Sequence, residues 1–265
     1  MLHWTDGYYG DLYLDTVADL LTPRLSALEA GVIAALLGLG PRDRVLDLAC
    51  GHGRHAWPLA GQVRALVGVE RSATYLRRAA SGPSTPTIIS PGGPEAPPSP
   101  ARPSPHILRA DLRALPVKPG AFDAAYSWYS SLFMYDDSAN LEVLREAARP
   151  LRRGGRLLVH HANPLALALE PLAEASRTLP DGGRVEERSS FDPATGVDRC
   201  ARRLIRADGR VLEGTAELRY YSPTGWEALA RAAGLRLRRI TSSLPSPGGT
   251  LGPEAPDLIA LLESP

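Results

Sequence analysis

The most constraining feature of this 265-residue chain is an apolar run, residues 44–48, that is followed at once by a glycine-containing turn. The run carries one carboxylate, Asp47, and the turn carries Gly51 and Gly53. A short apolar run bounded by glycine is typical of a buried parallel strand, and two nearby glycines permit positive φ angles and close approach of a ligand to bare backbone. Ala56 stands where a dinucleotide-binding fingerprint has its third glycine. The segment therefore predicts a cradle for a nucleotide-like group without naming the ligand.

Strand-like and helix-like segments alternate along the chain. We predict strands at 44–48, 65–69, 107–110, 124–128 and 156–161, and helices at 25–39, 56–61, 73–80 and 140–149. This alternation predicts right-handed βαβ crossovers and a doubly wound, mostly parallel α/β sheet. Ligands of such sheets bind beyond the carboxyl ends of the strands. Polar residues stand at or just after these ends, so we expect them to share one edge of the sheet: Asp47, Cys50, Gly51, Glu70, Asp111, Ser127, Trp128 and His161.

Two segments interrupt the alternation. Residues 81–105 contain nine prolines and predict a surface insertion without catalytic content. Residues 183–221 change to a two-residue period and predict three antiparallel strands that form a small added sheet. Two further strands, predicted at 235–241 and 258–262, are joined by a connection rich in Pro and Gly, so we expect the last strand to run antiparallel to the others.

The predicted organisation follows from these changes of pattern. It comprises an N-terminal segment over residues 1–24, a main domain over 25–182 and 222–265 that contains the 81–105 insertion, and an antiparallel β subdomain over 183–221.

The composition restricts the class of protein to which this chain can belong. The net charge is +1 and the apolar content is 44%, which argues against a general nucleic-acid-binding surface and for a globular domain. No apolar run approaches the ~20 residues that a membrane-spanning helix needs. Cys50 and Cys200 are too few for a disulfide framework, and no secretory leader opens the chain. We therefore expect a cytoplasmic protein that does not associate with membranes.

Five segments, taken in order, resemble the motifs of class I S-adenosylmethionine-dependent methyltransferases: residues 45–54, 67–70, 109–112, 122–128 and 151–158. The resemblance covers about residues 30–262. It implies a seven-stranded, Rossmann-like sheet whose last strand is antiparallel, and S-adenosylmethionine as the cofactor.

The resemblance also implies site residues. Glu70 would accept hydrogen bonds from both ribose hydroxyls, and Asp111 would receive the adenine amino group. Taken singly, Glu70 could equally cap a helix and Asp111 could form a turn. The implied cofactor-binding set is Asp47, Ala49, Cys50, Gly51, Gly53, Arg54, Glu70, Arg71, Asp111, Leu112, Ser127, Trp128 and Tyr9. We expect no metal, because Cys50, His52 and His55 on a turn entering a helix would point apart.

Methyl transfer from a sulfonium needs alignment in a dry pocket more than acid–base chemistry. The segments after the fourth and fifth strands supply the candidate acceptor-binding residues Tyr129, Ser131, Tyr135, His161 and Asn163. His161 and Tyr129 are the candidate catalytic groups. Ordinary packing between a strand and a helix would explain the aromatic residues equally well, and His161 would serve equally as a polar wall of the pocket.

The N-terminal aromatic residues Trp4, Tyr8, Tyr9 and Tyr13 would form a lid over the cofactor or simply anchor the chain to the core. The added sheet resembles that of glycine and sugar N-methyltransferases, where such a layer roofs the acceptor site or pairs subunits, so a homodimer is one implied arrangement. The resulting hypothesis is transfer of a methyl group from S-adenosylmethionine to N or O of a small-molecule acceptor. Methylation of tRNA or protein, and cofactor binding without turnover, are the alternatives.

Overall fold

The computed structural model describes residues 5–80, 103–243 and 251–265. Its helices in chain order are α1 (Thr5–Tyr8), α2 (Asp11–Val17), α3 (Pro23–Leu37), α4 (Ala56–Ala60), α5 (Ala73–Ala80), α6 (Asp137–Ala148), α7 (Pro164–Leu167) and α8 (Pro223–Ala232). The strands are β1 (Arg44–Leu48), β2 (Ala65–Glu70), β3 (His106–Arg109), β4 (Phe122–Ser127), β5 (Leu151–Ala162), β6 (Leu172–Thr178), β7 (Arg184–Asp192), β8 (Val197–Ile205), β9 (Val211–Arg219), β10 (Arg236–Thr241) and β11 (Asp257–Glu263).

Seven strands form the main sheet in the order β10-β11-β5-β4-β1-β2-β3. The pairs from β5 to β3 are parallel, and β11 runs antiparallel to both of its neighbours. The predicted fold class, a doubly wound sheet with its last strand antiparallel, is confirmed. The order reverses between β1 and β4, which is the position where ligands of doubly wound sheets bind.

Strand β5 begins earlier than the sequence predicts. Residues 152–155, which precede the predicted strand 156–161, lie inside β5, and the pairing with β4 shifts between Phe122 and Ala124 to accommodate them. Gly154 has a φ of 71°, and a Cβ on Gly155 would lie 2.8 Å from the carbonyl oxygen of Arg152. The glycines therefore form a bulge in the strand rather than ending it.

The main sheet is covered on both faces. Neighbouring residues of β1 point to opposite sides, so Leu46 joins a cluster with Trp226 of α8, whereas Val45 joins a cluster with Ile33 of α3. All four side chains are buried. The continuous burial of β1 explains why it reads as an apolar run rather than as an alternating pattern.

The added antiparallel sheet has four strands, in the order β6-β7-β8-β9. The sequence predicts β7, β8 and β9 but not β6, whose residues are exposed along almost its whole length and show no alternation of apolar and polar residues. One face of this sheet packs against α1 and α2 through Tyr8 and Leu12. The N-terminal helices therefore connect the added sheet to the rest of the molecule.

Trp4 and nearly all of the proline-rich segment 81–105 lie outside the described residues. Within the parts of the chain that are described, no helix combines the length and the apolar character needed to cross a membrane.

Candidate functional site

A cavity of about 340 Å³ lies beyond the carboxyl ends of β1, β2 and β4. The N-terminal helices cover it from the outside. Its walls bring together thirteen of the residues singled out from the sequence: Tyr9, Ala49, Cys50, Gly51, Arg54, Glu70, Arg71, Asp111, Leu112, Trp128, Tyr129, Ser131 and Tyr135. Tyr13, His52 and Tyr75 also line it. The volume is at the lower end of the range of about 300–1,000 Å³ for small-molecule sites, so the cavity suits one ligand of nucleoside size.

The turn after β1 presents backbone to this cavity. Ala49, Gly51 and Gly53 have φ angles of 59°, 56° and 80°. A Cβ on Gly53 would lie 3.2 Å from Ile107 Cδ1 and 3.3 Å from the Trp57 ring, so a larger residue would displace the turn. Gly53 does not line the cavity itself but fixes the course of the chain that brings Gly51 to its wall.

Glu70, at the end of β2, fixes the turn. Its Oε2 accepts a hydrogen bond from the Gly51 N–H at 3.0 Å, and its Oε1 accepts one from the Ser72 N–H at 2.7 Å. Burial raises the pKa of Glu70. The backbone N–H groups of Ser72, Gly51 and Arg71 act to lower this pKa. The carboxylate lies on the cavity wall, where it can also accept from hydroxyl donors of a ligand.

Asp111 lies at the cavity wall, and its carboxylate is already paired. Oδ1 accepts from Arg113 Nε at 3.0 Å, and Oδ2 accepts from Arg113 Nη2 at 2.8 Å. The hydrogen bonds from Arg113 hold the pKa of Asp111 below its ordinary value. The Arg113 guanidinium in turn lies 5.1 Å from the centre of the Tyr135 ring. The sequence did not point to Arg113, which links two opposite parts of the cavity wall.

Asp47 and Ser127 stand behind the cavity rather than on its wall. The Tyr126 hydroxyl donates to Asp47 Oδ2 at 2.6 Å, and burial raises the pKa of Asp47 to about 7 despite this hydrogen bond. Ser127 is fully buried, and its hydroxyl meets no hydrogen-bond partner within the described residues. Both therefore support the floor of the site in this structure.

A buried ion cluster holds Arg54 against the cavity. Glu29 of α3 pairs with the Arg54 guanidinium and accepts a hydrogen bond from His55 Nε2 at 2.9 Å. Burial acts to raise the pKa of Glu29, but the hydrogen bonds from His55 and Arg54 lower it to about 2. Arg54 also lies 4.7 Å from the centre of the Tyr129 ring. Glu29 stands beside the buried stripe of α3, three residues after Ser26 and four before Ile33, and a carboxylate at this position is the signal that could have identified it.

The segment after β4 forms the opposite wall. Trp128 stacks on His160 with ring centres 4.3 Å apart, and Tyr129 turns its ring toward Arg54. Ser131 Oγ donates to the Trp128 carbonyl at 3.0 Å. Burial raises the pKa of Tyr129, so its phenol keeps its proton at neutral pH.

His161 and Asn163 do not line the cavity. The Trp226 indole N–H donates to His161 Nε2 at 2.8 Å, and His161 Nδ1 lies 2.7 Å from the Ala162 carbonyl oxygen, so both ring nitrogens are engaged. Burial lowers the pKa of His161 to about 4. Asn163 caps α7 and donates to the carbonyls of Gly252 and Ala255, each at 2.8 Å. We therefore place neither residue in the candidate site: His161 has no free nitrogen to act as a base.

The N-terminal tyrosines form one cluster. Tyr8 is buried against the added sheet, and Tyr9 and Tyr13 pack against the same cluster while also lining the cavity. Asp15 of α2 accepts from Arg78 at 3.0 Å and from Arg206 at 2.6 Å, so one carboxylate joins α5 to the β8–β9 hairpin. The N-terminal segment therefore covers the cavity and is fixed both to α5 and to the β8–β9 hairpin.

In the described part of the chain, no three His, Cys, Asp or Glu side chains are grouped closely enough to hold a metal ion.

Comparison with known proteins finds one matching domain family and several similar structures. Residues 46–159 match the methyltransferase domain family. The CcbJ methyltransferase from Streptomyces caelestis has a similar structure over 98% of each chain, with a TM-score of 0.75 and 20% identity. CalS10 from Micromonospora echinaspora, an amino pentose methyltransferase whose structure holds S-adenosylmethionine, is similar over 91% of each chain, with a TM-score of 0.59 and 16% identity. At these identities the structural likeness establishes the fold.

One relative matches a short stretch of sequence. The 23S rRNA (uracil(1939)-C(5))-methyltransferase RlmD of Pseudomonas fluorescens is 56% identical over 54 residues, which are 20% of this chain. The match spans only 12% of the length of that protein.

Proposed function

We propose that this chain, whose residues 46–159 match the methyltransferase domain family, transfers a methyl group from S-adenosylmethionine to an N or O atom of a small-molecule acceptor. The observation that carries the proposal is the convergence of Gly51, Glu70 and Asp111 on one cavity. These residues follow three different strands, and the implied cofactor contacts need all three in one place.

The residues of the cavity fit this cofactor. Glu70 presents a carboxylate to the hydroxyl groups of a ligand at the cavity wall, and the bare turn at Gly51 allows a methionyl group to approach the backbone. Arg54 offers a cation to a carboxylate, and Leu112 and Arg71 offer an apolar edge and a planar group to an adenine ring. When bound, S-adenosylmethionine supplies an activated methyl group on a sulfonium. The protein then has to hold the acceptor in line and keep water out.

The acceptor would meet the wall formed by Trp128, Tyr129, Ser131 and Tyr135. Since Tyr129 remains protonated at neutral pH, we assign it a role in orienting the acceptor by hydrogen bonding rather than in removing a proton. An acceptor that is nucleophilic as a neutral amine needs no base, which favours nitrogen as the methylated atom.

A small acceptor is supported by the size and cover of the cavity and by the amino pentose substrate named for CalS10. The short match to an rRNA methyltransferase supports the alternative of an RNA acceptor. Against it, arginines on the outer face of the added sheet are paired with acids: Arg188 with Glu174 at 2.8 Å and Arg199 with Glu217 at 2.9 Å. A mixed, paired surface of this kind attracts polyanions weakly.

Transfer of a labelled methyl group tests the choice of acceptor. We expect label from S-adenosylmethionine to enter small amines or alcohols in a metabolite extract that contains no RNA or protein. Incorporation only into RNA, decreasing with added salt, would instead establish the polymeric alternative.

The role of the N-terminal segment that covers the cavity can be tested separately. Tyr9→Ala should weaken binding of S-adenosylhomocysteine about tenfold, because Tyr9 lines the cavity, and should lower the melting temperature only moderately, because its side chain is only partly buried against the added sheet. Tyr8→Ala is the matched control and should lower the melting temperature more, because Tyr8 is 3% exposed and packs against the added sheet. Calorimetry and thermal unfolding measure the two effects. Equal losses of affinity and stability in both variants would mean that the segment only anchors the chain.

Two further proposals concern the setting of the protein. We place it in the cytoplasm, which the free thiols of Cys50 and Cys200 support.

We also propose that two copies pair through the added sheet, since its edge strand β6 is exposed and Leu172 is 77% exposed. Sedimentation of a single species with the mass of one chain at micromolar concentration would reject the dimer.

A further inference from the structure

The turn after β4 is held in an unfavourable backbone conformation. Tyr129 and Ser130 have φ angles of 62° and 56°, in the left-handed region that residues with a side chain rarely adopt. Two such residues in succession persist only where the surroundings fix them, and strain of this kind concentrates at functional sites. Tyr129 lies on the cavity wall.

His160 of β5 accepts hydrogen bonds from both backbone N–H groups of this turn. The Tyr129 N–H donates to His160 Nδ1 at 3.1 Å, and the Ser130 N–H donates to the His160 carbonyl at 3.0 Å. Ser130 Oγ also contacts β5, because it accepts a hydrogen bond from the Ala162 N–H at 3.3 Å. The side chain of His160 therefore supports Tyr129, and its main chain supports Ser130.

The hydrogen bonds of His160 define its tautomer. A backbone N–H can only donate, so Nδ1 must carry a lone pair and Nε2 must carry the proton. Nε2 lies 3.1 Å from Asp257 Oδ2 and donates to it. Asp257 is held in turn by the Ser242 hydroxyl at 2.5 Å and by the Ser243 N–H at 2.9 Å. Although burial acts to raise the pKa of Asp257, hydrogen bonds from His160, Ser242 and Ser243 keep it well below its ordinary value.

His160 does not line the cavity but contacts two residues that do. Its ring stacks on Trp128 at an angle of 16°, and its Nδ1 fixes Tyr129, whose ring lies beneath the Arg54 guanidinium. A chain of direct contacts thus runs from Asp257 in the last strand through His160 to the cavity wall.

We propose that His160 is a positioning residue for this wall. Its unprotonated Nδ1, maintained by the Nε2–H bond to Asp257, holds Tyr129 in the left-handed conformation that turns the ring toward the cavity. The role assigned to the wall rests on the proposed function, whereas the hold on Tyr129 does not. The sequence could place His160 near the end of the fifth strand but could not assign it this role, because its action passes through a backbone amide.

Two substitutions of His160 test the roles of its two ring nitrogens separately. His160→Asn places an amide oxygen near the position of Nδ1 and can still accept from the Tyr129 N–H, but it loses Asp257. His160→Gln can still donate to Asp257 near the position of Nε2, but it leaves the Tyr129 N–H without its acceptor. We expect hydrogen exchange at the Tyr129 amide to stay within about fivefold of wild type in His160→Asn and to accelerate at least about 50-fold in His160→Gln.

The second readout is the NMR signal of the Tyr129 ring on addition of S-adenosylhomocysteine. The ring should shift in the wild type and in His160→Asn, and the shift should be lost in His160→Gln. Equal exchange at Tyr129 in the two variants would overturn the proposal. If S-adenosylhomocysteine leaves the wild-type spectrum unchanged, the cofactor assignment fails, and the exchange rates still decide the role of His160.

Discussion

Replacing Glu70 by alanine is expected to weaken binding of S-adenosylhomocysteine by about 100-fold or more while the fold is kept. The carboxylate is expected to accept two ribose hydroxyls, and hydrogen bonds to a charged group contribute about 1.5–3 kcal/mol each. Their joint loss corresponds to at least about two factors of ten in the dissociation constant. The substitution also removes the acceptor of the Gly51 N–H, so the turn after β1 loses its anchor.

Two variants control this measurement by calorimetry. Glu70→Gln keeps the shape and one acceptor oxygen, so its affinity should fall between those of the wild type and Glu70→Ala. Glu142→Ala removes a carboxylate whose side chain is 65% exposed on α6 and should leave the affinity unchanged. An unchanged affinity in Glu70→Ala would show that Glu70 does not hold the ribose.

Replacing His161 by alanine is expected to destabilise the protein by about 3 kcal/mol or more without removing the cofactor site. The substitution leaves a cavity beside Trp226 and leaves the Trp226 indole N–H without an acceptor in the core. His161→Gln can still accept that N–H and should lose less stability. Urea unfolding measures the stability, and calorimetry with S-adenosylhomocysteine should give an affinity near that of the wild type in both variants. A stable His161→Ala that has lost methyl transfer would restore His161 as a candidate base.

The pH dependence of the free energy of unfolding gives a second test of the buried His161. The pKa of His161 is about 4 in the folded protein and about 6.5 when unfolded. Above pH 6.5 the ring is neutral in both states and contributes no pH dependence. As the pH falls from 6.5 to 4, the unfolded chain binds a proton that the folded chain does not, so this residue lowers stability by about 1.4 kcal/mol per pH unit. His161→Gln should therefore show a shallower loss of stability in acid than the wild type, measured as the difference between the two unfolding curves.

The positions of Gly51, Glu70 and Asp111 were predictable because they depend on local pattern. Each stands at or just after the carboxyl end of a strand, and parallel strands bring these ends to one edge whatever the rest of the chain does. The two histidines of β5 were not predictable in this way. His160 and His161 point to opposite faces of the sheet, and only the packing shows that His160 meets Trp128 whereas His161 meets Trp226.

Other parts of the site depend on contacts that no periodicity encodes. Glu29 meets Arg54 from a helix 25 residues earlier in the chain. Asp111 is paired by Arg113, two residues away, in a geometry that a turn motif does not specify. The strand β6 escaped prediction because an exposed edge strand buries too little surface to impose an apolar pattern.

We propose that the cavity between the turn after β1, Glu70 and the N-terminal helices holds S-adenosylmethionine. Titration calorimetry of the wild-type protein with S-adenosylhomocysteine tests it most directly, since this product shares the adenosine and methionyl groups of the cofactor and needs no acceptor. We expect binding of one molecule per chain with a dissociation constant of about 1–100 μM, corresponding to about 5.5–8 kcal/mol of binding free energy. Absence of heat and of thermal stabilisation at 1 mM S-adenosylhomocysteine would contradict it.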